Sequence, residues 1–430
     1  MWGKVFLSAF LLLAFQMVNA QHTEPCASHL YLQQLDAAYP GFHDATLAPF
    51  SRVRGQGQGR DLTLLTIPVV VHIVYQNESQ NLPDETINEV IDVLNEDYRR
   101  LNTDADQIRD EFLDVVDDAF IEFELVGVER VETSATFALD IFGGGLPDNV
   151  KQAANGGSDA WDTERHLNIW VCNIEGGALL GYAYPPADLL NWPADANAPS
   201  PELDGVVIHY EVFRRTGDFT STGLLGGEAI TVPVRGRTVT HEVGHYLGLR
   251  HIWGDGTLAV LGIPDCDADD GVEDTPNQGL SSQFVCDPTA NGCNEGAGDQ
   301  PDMWENFMDY SQETCQNSFT AGQIEIMRSV LDNERSGLIE EVVSTQDIAN
   351  HTGFSIYPNP TSDRLLLERN TKNLSTTTIR LVNAQGQLMQ TWSSWTSERR
   401  ELLLRDFPAG LYYVQLLNAK GMSSQAVMVN

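Results

Sequence analysis

The feature that most constrains this chain is a short segment in its middle where three histidines, a glutamate and a glycine recur at fixed spacing. The segment reads Thr240-His-Glu-Val-Gly-His-Tyr-Leu-Gly-Leu-Arg-His251. On a helix, His241 and His245 lie four residues apart, so both imidazoles project from one face at a separation that one metal ion can bridge. Gly248 can adopt the left-handed conformation that ends a helix and turns the chain, and His251 can then return as a third nitrogen ligand. The segment therefore predicts a helix, a turn and a three-histidine metal site.

Three neutral imidazoles leave one coordination position for water, which is typical of a catalytic zinc rather than of a closed structural one. Glu242 directly follows the first histidine, and we expect its carboxylate beside that open position. Zinc lowers the pKa of a bound water to about 7, so that a carboxylate can take its proton and pass it to a departing amine. The sequence thus predicts one catalytic Zn²⁺ held by His241, His245 and His251, with Glu242 as general base. The alternatives are incidental histidines on an amphipathic helix and a bound metal without catalysis.

The charge of the chain is large and unevenly distributed. The 430 residues include 61 Asp and Glu against 25 Lys and Arg, which gives a formal net charge of -36. A surface this acidic repels phosphate backbones and anionic lipids, so it argues against binding to nucleic acid or to a membrane surface. Most acidic residues lie in 61–340, whereas 341–430 are nearly neutral, and this shift predicts a domain boundary near residue 345.

The start of the chain is typical of an exported precursor. Lys4 precedes an apolar run, and a small-residue cleavage site ends at Ala20, so we interpret residues 1–20 as a signal peptide. The apolar run is too short to span a bilayer comfortably, and no later segment is long enough, so we expect no integral membrane segment after signal removal. We interpret residues 21–60 as a pro-segment. Its glycine-rich stretch at 54–60 is bounded by arginines and either invites proteolysis or is an ordinary linker.

Residues 61–340 have the alternation of strands and helices that is typical of an α/β layer with a mixed sheet. A β-branched run at 67–75 predicts a buried strand, and apolar residues at helical spacing over 84–101 predict a helix. Further strands are predicted at 120–126, 166–174 and 204–210, and further helices at 237–249 and 320–335.

The end of the chain has a different pattern. After a linker at 341–351, short apolar runs separated by turn residues recur over 352–430. This spacing predicts a small all-β sandwich, with strand candidates at 365–368, 378–382, 402–404 and 411–417.

A second motif, Asn306-Phe-Met-Asp-Tyr310, follows the zinc segment. Together the two motifs resemble the pappalysin family of metzincin metallopeptidases, and the likeness extends over about residues 62–335. The resemblance implies a zinc endopeptidase in which a twisted mixed sheet and the active-site helix lie above a less regular lower subdomain, with the cleft between them. It also implies that Met308 lies in the tight turn beneath the metal and that Tyr310 hydrogen-bonds the tetrahedral intermediate. From the residues alone, Met308 could equally be a core residue.

The resemblance also bears on substrate choice. In some members an acidic residue five positions after the methionine lies at the base of the S1′ pocket and favours arginine there. Here that position is Glu313, whose reach is longer than that of aspartate. We therefore expect cleavage before arginine, with lysine as a lesser candidate, and the bonds before Arg54 and Arg60 become candidates for self-cleavage. The alternative is a surface glutamate without this role.

Six cysteines in an exported chain predict disulfides. Four of them cluster around the second motif and allow three pairings. The family resemblance implies that Cys266 pairs with Cys293 and Cys286 with Cys315, and free buried thiols are the alternative.

Cys26 lies in the pro-segment, where some pappalysins place a cysteine whose thiolate occupies the fourth zinc position. An enzyme blocked in this way is latent because it cannot bind the catalytic water. The glycine that commonly follows such a cysteine is replaced here by Ala27. The alternatives are that Cys26 pairs with Cys172 or that Cys26 has no role.

Residues 265–276, Asp-Cys-Asp-Ala-Asp-Asp-Gly-Val-Glu-Asp-Thr-Pro, resemble a calcium loop. The loop is not an EF-hand, because its sixth residue is aspartate rather than glycine and its twelfth is proline rather than glutamate. Its crowded aspartates repel one another unless a cation neutralises them, and related pappalysins bind calcium in this region. The expected ligands of a structural Ca²⁺ are Asp267, Asp270, Asp274, Thr275 and the carbonyl of Val272. A solvated acidic loop is the alternative.

Tyr357-Pro-Asn-Pro-Thr361 opens the terminal sandwich, and Pro408-Ala-Gly-Leu-Tyr-Tyr-Val-Gln-Leu416 lies near its end. Both resemble a type A sorting domain of the type IX secretion system, which carries cargo across the outer membrane and is then removed. The resemblance implies the type IX machinery as a partner and a secreted or cell-surface protein exported through the periplasm. The closing residues lack the usual final lysine, and a generic accessory sandwich that binds substrate or carbohydrate is the alternative.

The predicted function is that of a secreted zinc endopeptidase that hydrolyses proteins or peptides and is made as a latent precursor. The alternative is a non-catalytic secreted protein that uses a metal-binding, protease-like domain for adhesion. Glu242 and Tyr310 favour the peptidase, because a protein that only binds needs neither residue.

Overall fold

The chain divides into two compact units in a computed structural model, Met1–Glu340 and Glu341–Asn430, and each is considered by itself. The structure describes residues 25–39, 41–53, 63–140, 145–176, 179–187, 189, 200–221, 229–256, 259, 262–294, 296, 298–339, 354–369, 377–383, 388–405, 407–418 and 421–430. The predicted signal peptide at 1–20, the glycine-rich stretch at 54–60 and the linker at 341–351 lie outside these residues.

A mixed β-sheet organises the first unit. The strands of this unit are β1 (Leu65–Tyr75), β2 (Ile121–Glu132), β3 (Phe137–Ala138), β4 (Leu167–Cys172), β5 (Ile174–Glu175), β6 (Gly181–Ala183), β7 (Val206–His209), β8 (Gly217–Ser221) and β9 (Ile230–Val234). The main sheet has the order β2-β1-β4-β7-β6. Its strands are parallel except β6, which is antiparallel to β7 at one edge. The predicted mixed sheet is therefore confirmed.

β1 lies inside the sheet because both of its faces are apolar. Val69, Val71 and Ile73 are buried in the main core of the unit, and Val74 packs on the opposite side in a second cluster that contains Trp170 of β4. A parallel strand buried on both faces reads as a continuous hydrophobic run rather than as an alternation. This explains the β-branched run from which the strand was predicted.

Helices cover the sheet and precede it. They are α1 (Ser28–Ala38), α2 (Phe42–Ala45) and α3 (Ala48–Val53) in the pro-segment, then α4 (Asp84–Tyr98), α5 (Arg237–Tyr246) and α6 (Ala321–Asp332). Short 3₁₀ turns lie at Ala105–Gln107, Asp110–Phe112, Asp148–Lys151, Ala153–Asn155, Pro201–Leu203 and Ser336–Leu338. The amphipathic α4 packs its buried residues Ile87, Val90 and Leu94 into the same core as β1.

Several predicted boundaries are wrong by a few residues. The helix predicted at 84–101 ends at Tyr98, and Arg100 just beyond it has a φ of +48°. The helix predicted at 320–335 is shorter at both ends, since Thr320 is its N-cap in a capping box with Gln323. The strand predicted at 120–126 continues to Glu132 because it pairs with the whole length of β1.

Between α5 and α6 the chain runs mainly through turns and loops that disulfides hold together. Cys266 is bonded to Cys293 and Cys286 to Cys315, with Cα–Cα distances of 5.6 and 6.4 Å. These are the pairings that the family resemblance implied. Cys26 and Cys172 are buried and free, so the alternative pairing between them is not formed.

The second unit is a small β-sandwich. Its strands are β10 (Phe354–Tyr357), β11 (Arg364–Arg369), β12 (Thr377–Asn383), β13 (Leu388–Trp395), β14 (Arg399–Leu403), β15 (Gly410–Asn418) and β16 (Gly421–Val429). They form two antiparallel sheets with the orders β10-β11-β14 and β13-β12-β15-β16. Leu365 and Leu367 of the first sheet share one buried cluster with Leu381 and Val414 of the second. Among the described residues of the chain, no helix is long and apolar enough to cross a bilayer.

Candidate active site

Three histidine nitrogens converge on α5 and the turn that follows it. His241 and His245 lie on α5, and His251 returns after Gly248, whose φ of +93° is in the left-handed region. The Nε2 atoms of His241 and His245 are 3.1 Å apart, those of His245 and His251 are 3.0 Å apart, and those of His251 and His241 are 3.2 Å apart. The motif predicted a helix, a turn at Gly248 and a third histidine beside the first two, and the structure has all three.

The second ring nitrogen of each histidine is held by an acceptor. The acceptors are the carbonyl oxygen of Phe307 for His241 (2.7 Å), the carbonyl oxygen of Leu249 for His245 (2.9 Å), and the carboxylate of Asp255 for His251. Since a carbonyl or carboxylate oxygen only accepts, each Nδ1 carries the proton and each Nε2 presents a lone pair. This is the tautomer that a metal-binding imidazole needs.

The charge state of the rings tests whether these residues fit a metal. Burial lowers the pKa of His241 to about 4 and lowers the pKa of His245 and of His251 well below the ordinary value. The rings are therefore neutral, and three lone pairs meet within 3.2 Å of one another. Lone pairs this close repel unless a cation lies between them. Three neutral imidazoles with fixed tautomers are a donor set that suits Zn²⁺, so the residues fit the implied metal.

Met308 packs directly beneath α5. It is fully buried, and a Cβ added at Gly244 would lie 2.5 Å from its Sδ atom. The backbone amide of Met308 donates to the side-chain oxygen of Asn306 (2.9 Å), which fixes the turn that carries the methionine. The glycine between the first two histidines thus makes room for a side chain that supports the helix from below.

Glu242 is buried beside the histidines and faces the edge strand β6. A Cβ added at Gly181 would lie 2.8 Å from Glu242 Cγ, so the glycine leaves room for the glutamate. Oε2 accepts hydrogen bonds from the thiol of Cys26 (3.4 Å) and the hydroxyl of Ser28 (3.2 Å), while Oε1 has no hydrogen-bond partner among the described residues. Burial raises the pKa of Glu242 to about 8, and the two hydrogen bonds act in the opposite direction. A carboxylate in this pKa range can take up and release a proton near neutral pH.

The pro-segment enters the site through an isolated β-bridge to the edge strand β6. Cys26 forms a parallel bridge with Gly181, and the amide of Ala27 donates to the Gly181 carbonyl (3.2 Å). Cys26 Sγ and the ligand nitrogens of the three histidines all lie within 4.8 Å of one another. Burial, reinforced by the charge of Glu242, raises the pKa of the Cys26 thiol. A thiolate at this position therefore needs a cation beside it.

Ser28 is a contact that the sequence motifs did not reveal. Its buried hydroxyl donates to Glu242 Oε2 and accepts from the amide of Ala183 on β6 (2.9 Å). Asp255 and Trp253 were also missed. Asp255 orients His251, and the Trp253 ring stacks on the His251 ring at a centroid distance of 4.3 Å. The only available signal was closeness in sequence to Cys26 or to His251, which does not predict a contact before the turns are known.

Tyr310 lines the same pocket as Glu242. Its hydroxyl donates to the carbonyl oxygen of Cys26 (3.3 Å). Its ring centroid is 4.8 Å from that of His251 and 5.6 Å from that of His241. The Tyr310 hydroxyl is therefore within reach of a chain that lies along β6 next to the histidines.

Glu313 is half-buried and borders a pocket beside the histidines. The pocket is also lined by Val232, Val234, Thr238, His241, Phe284 and Tyr310. The Glu313 carboxylate accepts hydrogen bonds from the amide and the hydroxyl of Thr238 (2.8 and 2.6 Å), from the amide of Arg237 (3.2 Å) and from the amide of Arg235. These donors are uncharged, so the carboxylate caps the N-terminus of α5 and still gives the pocket a negative charge.

The predicted calcium loop brings some of its expected ligands together. Asp270 is buried, and its Oδ1 accepts from the amide of Val272 (3.0 Å) and the hydroxyl of Thr275 (2.9 Å). Asp274 accepts from the amide of Gly322 (2.8 Å). Asp270 Oδ2 and Asp274 Oδ1 are buried and have no partner among the described residues, and burial raises the pKa of both carboxyl groups.

Asp267 does not share this environment. It is exposed and borders a cavity between the loop and the pro-segment, together with Asp265 and Asp269. The expected ligand set thus divides into a group that includes the buried Asp270 and the half-buried Asp274, and a residue on the surface, Asp267.

Comparison with known proteins agrees with the geometry. A family model described as pregnancy-associated plasma protein-A matches residues 226–332. An extracellular metalloprotease of Pyricularia oryzae is 30% identical over 277 residues, which cover 64% of this chain and 77% of the relative. The chain belongs to the pappalysin family of metallopeptidases. It is therefore a metalloendopeptidase, and the family implies a catalytic zinc.

Solved pappalysin structures share the fold of the first unit. Mature mirolysin of Tannerella forsythia in complex with a cleaved peptide is 39% identical, with a TM-score of 0.54, and the match covers 65% of this chain and 96% of that one. A mutant of promirolysin from the same organism is 36% identical, with a TM-score of 0.60, and covers 74% of this chain and 97% of that one. The metzincin fold predicted for the catalytic region is confirmed.

The second unit also has a family match. A model described as a secretion system C-terminal sorting domain matches residues 355–430. This pappalysin is therefore a secreted or cell-surface protein, as predicted.

Proposed function

We propose that this pappalysin is a zinc endopeptidase in which Glu242 is the general base and Tyr310 stabilises the transition state. The observation that carries the proposal is the convergence of three lone pairs from His241, His245 and His251 next to a buried carboxylate. The residues that would hold Zn²⁺ are these three histidines. When bound, zinc supplies Lewis acidity, which polarises a carbonyl and lowers the pKa of a water.

The side chains of the cleft supply the remaining steps. Glu242 has an oxygen without a partner and a pKa raised to about 8, so it can take a proton from water and give it to the departing amine. Tyr310 donates to a carbonyl oxygen of the chain lying along β6. In a substrate complex the same hydroxyl can donate to the carbonyl oxygen on which negative charge develops.

Latency is proposed to come from Cys26 and Ser28. In the precursor, the thiol lies at the position opposite the three histidines, and both residues hydrogen-bond the catalytic carboxylate. Water and substrate are thereby excluded from the same atoms that the reaction needs. The resemblance to promirolysin supports a precursor of this kind.

Specificity for arginine at P1′ is proposed to come from Glu313. Its carboxylate borders the pocket next to His241. The neighbouring Arg237 also lines the pocket, but it is paired with two other carboxylates, Asp104 (2.6 Å) and Asp97 (3.5 Å), so one guanidinium faces three carboxylates when Glu313 is included. An incoming guanidinium would therefore meet a negative pocket wall.

A structural Ca²⁺ is proposed in the loop 265–276. The support is the pair of buried carboxylate oxygens, Asp270 Oδ2 and Asp274 Oδ1, that have no partner among the described residues. Buried carboxylates are normally paired or bound to metal, and oxygen ligands of this kind suit calcium. The carbonyl of Val272 and the hydroxyl of Thr275, which lie next to Asp270, complete the proposed set, and Asp267 on the surface stays a prediction. The second unit is proposed to be recognised by the type IX secretion machinery and then removed.

Digestion of casein by the processed enzyme tests the proposed function. We expect digestion that stops with a zinc chelator, returns with added zinc and is absent in Glu242→Ala. A correctly folded Glu242→Ala variant that digests casein as fast as the native enzyme would contradict the assigned role. Absence of digestion by the native processed enzyme would favour the adhesion alternative.

A further inference from the structure

Among the contacts of the pro-segment with the catalytic region, two lie at separate places. The first is the cleft, where Cys26 and Ser28 meet the histidines and Glu242. The second is formed by α2 and α3, residues 41–53, which lie against the calcium loop and α6. We call the surface formed by Arg250, Gly271 and Glu334 the Phe50 seat, after the residue that fills it.

The Phe50 side chain is buried in the core of the catalytic unit and does not lie on its surface. Its side chain is 3% exposed and belongs to the same buried cluster as Val272 and Met327. The backbone of the loop comes close to it, since a Cβ added at Gly271 would lie 3.1 Å from Phe50 Cδ1. Gly271 has a φ of +87°, so the loop turns at this point in a conformation that glycine favours. The seat is therefore shaped for an aromatic ring.

Polar contacts flank the ring on both sides. Arg250 donates to the hydroxyl of Thr46 (2.6 Å), and the Arg250 guanidinium carbon lies 5.9 Å from the Phe50 ring centroid. On the other side, Arg52 pairs with Glu334 at the C-terminal end of α6 (2.6 Å). None of these contacts involves the histidines, Glu242 or Tyr310.

We propose that the Phe50 seat is a binding site for residues 41–53 that acts independently of the zinc site, so that a cut pro-segment stays bound to the processed enzyme. The proposal rests on the latent precursor described above. Cleavage at Arg54 or Arg60 breaks the chain but leaves every contact of the seat in place. Because the seat has contacts of its own, release of the thiol from the metal does not by itself release the pro-segment, although the two linked anchors together bind more tightly than either alone. Removal of the pro-segment then requires that Phe50 leave the seat. Dilution of the processed enzyme or a second cut in the pro-segment would allow this.

Titration of a synthetic pro-segment onto the processed enzyme tests this. The peptide spans residues 21–53 and carries Cys26→Ala, so that no thiol can reach the metal. The enzyme carries Glu242→Ala, so that it cannot digest the peptide. We expect saturable binding by calorimetry that an active-site peptide ligand reduces only in part. Phe50→Ala in the peptide should weaken binding about tenfold or more. Tyr39→Ala, an aromatic truncation in the pro-segment's own cluster, is the matched control and should weaken binding less.

A charge exchange provides a second test that does not depend on burial. Arg52→Glu in the peptide should weaken binding to the enzyme, and Glu334→Arg in the enzyme should restore it. The proposal is overturned if the Cys26→Ala peptide does not bind, or if Phe50→Ala and Tyr39→Ala bind equally well. These results are separable from the proposed function, because binding is measured on an enzyme whose general base has been removed.

Discussion

The hydroxyl of Ser28 lies 3.2 Å from Glu242 Oε2 and also accepts the amide of Ala183 on the edge strand β6. One pro-segment side chain thus joins the proposed catalytic carboxylate to the edge strand β6. Ser28→Ala should leave the Ala183 amide unpaired in a buried place, which costs about 1–3 kcal/mol. We expect the precursor to lose latency sooner, measured as the lag before activity appears in a peptide assay. Ser51→Ala is the control, because among the described residues its hydroxyl bonds the carbonyl of Ala48 in its own helix. Equal lags for the two variants would contradict the role of Ser28.

Glu242→Gln removes the proposed general base but keeps nearly the same side-chain shape. We expect kcat to fall about 100- to 10,000-fold, the usual contribution of a positioned acid or base. The zinc content should stay at that of the native protein, because Glu242 is not a ligand. A variant with near-native kcat, or one that has lost its zinc, would show that the carboxylate has another role.

Asp255→Asn tests the orientation of the third histidine. The Asp255 carboxylate holds the Nδ1 proton of His251, and partners of this kind commonly contribute 10- to 100-fold to metal affinity. We expect zinc to be lost at correspondingly lower chelator concentrations, measured by competition with a coloured indicator. Asp218→Asn, on strand β8, serves as a control for the loss of one negative charge. Unchanged zinc affinity in Asp255→Asn would show that the carboxylate does not position His251.

Substitutions of Glu313 test its role in substrate specificity separately from its role in protein stability. Glu313→Gln should reduce the preference for arginine over leucine at P1′ about 10- to 100-fold in kcat/KM, since hydrogen bonds to charged groups contribute about 1.5–3 kcal/mol. Glu313→Asp keeps the charge with a shorter reach and should retain part of the preference. Because the carboxylate caps α5, both variants should also lower the melting temperature. A fall in melting temperature with unchanged preference would leave Glu313 as a helix cap only.

Gly244 and Met308 form a packing pair under the metal site. An alanine at position 244 would normally stabilise a helix by about 1 kcal/mol. Here its Cβ would lie 2.5 Å from a fully buried Met308 Sδ, and such overpacking costs about 1–3 kcal/mol. We expect Gly244→Ala to be less stable than the native protein in denaturant unfolding. In a Met308→Ala background, Gly244→Ala should cost less stability than it does in the native protein, because its Cβ no longer meets Sδ. A Gly244→Ala variant that is more stable than the native protein would show that the methionine can move aside.

The zinc site was predictable because its ligands lie close together in sequence. The spacing of His241, His245 and His251 determines their relation on one helix and one turn, with little help from the rest of the fold. The disulfide pairings were not predictable from the residues themselves, since four cysteines allow three pairings, and they came only from the family resemblance.

Contacts between distant segments could not be predicted. Ser28 reaches Glu242 only because the pro-segment adds to β6 in one particular register, and register depends on the whole sheet. The contact made by Phe50 could not be predicted, because a single aromatic residue in a short helix does not indicate which surface it packs against. Glu313 was predicted as a pocket residue, but its contacts with the N-terminus of α5 depend on how the lower loops fold back.

Zinc K-edge X-ray absorption of the precursor and of the processed enzyme tests the central claim most directly. With one zinc per chain, we predict three nitrogen ligands at about 2.0–2.1 Å and one sulfur at about 2.3 Å in the precursor, with the sulfur replaced by oxygen after processing. A protein without stoichiometric zinc, or a zinc bound by fewer than three imidazoles, would contradict the account.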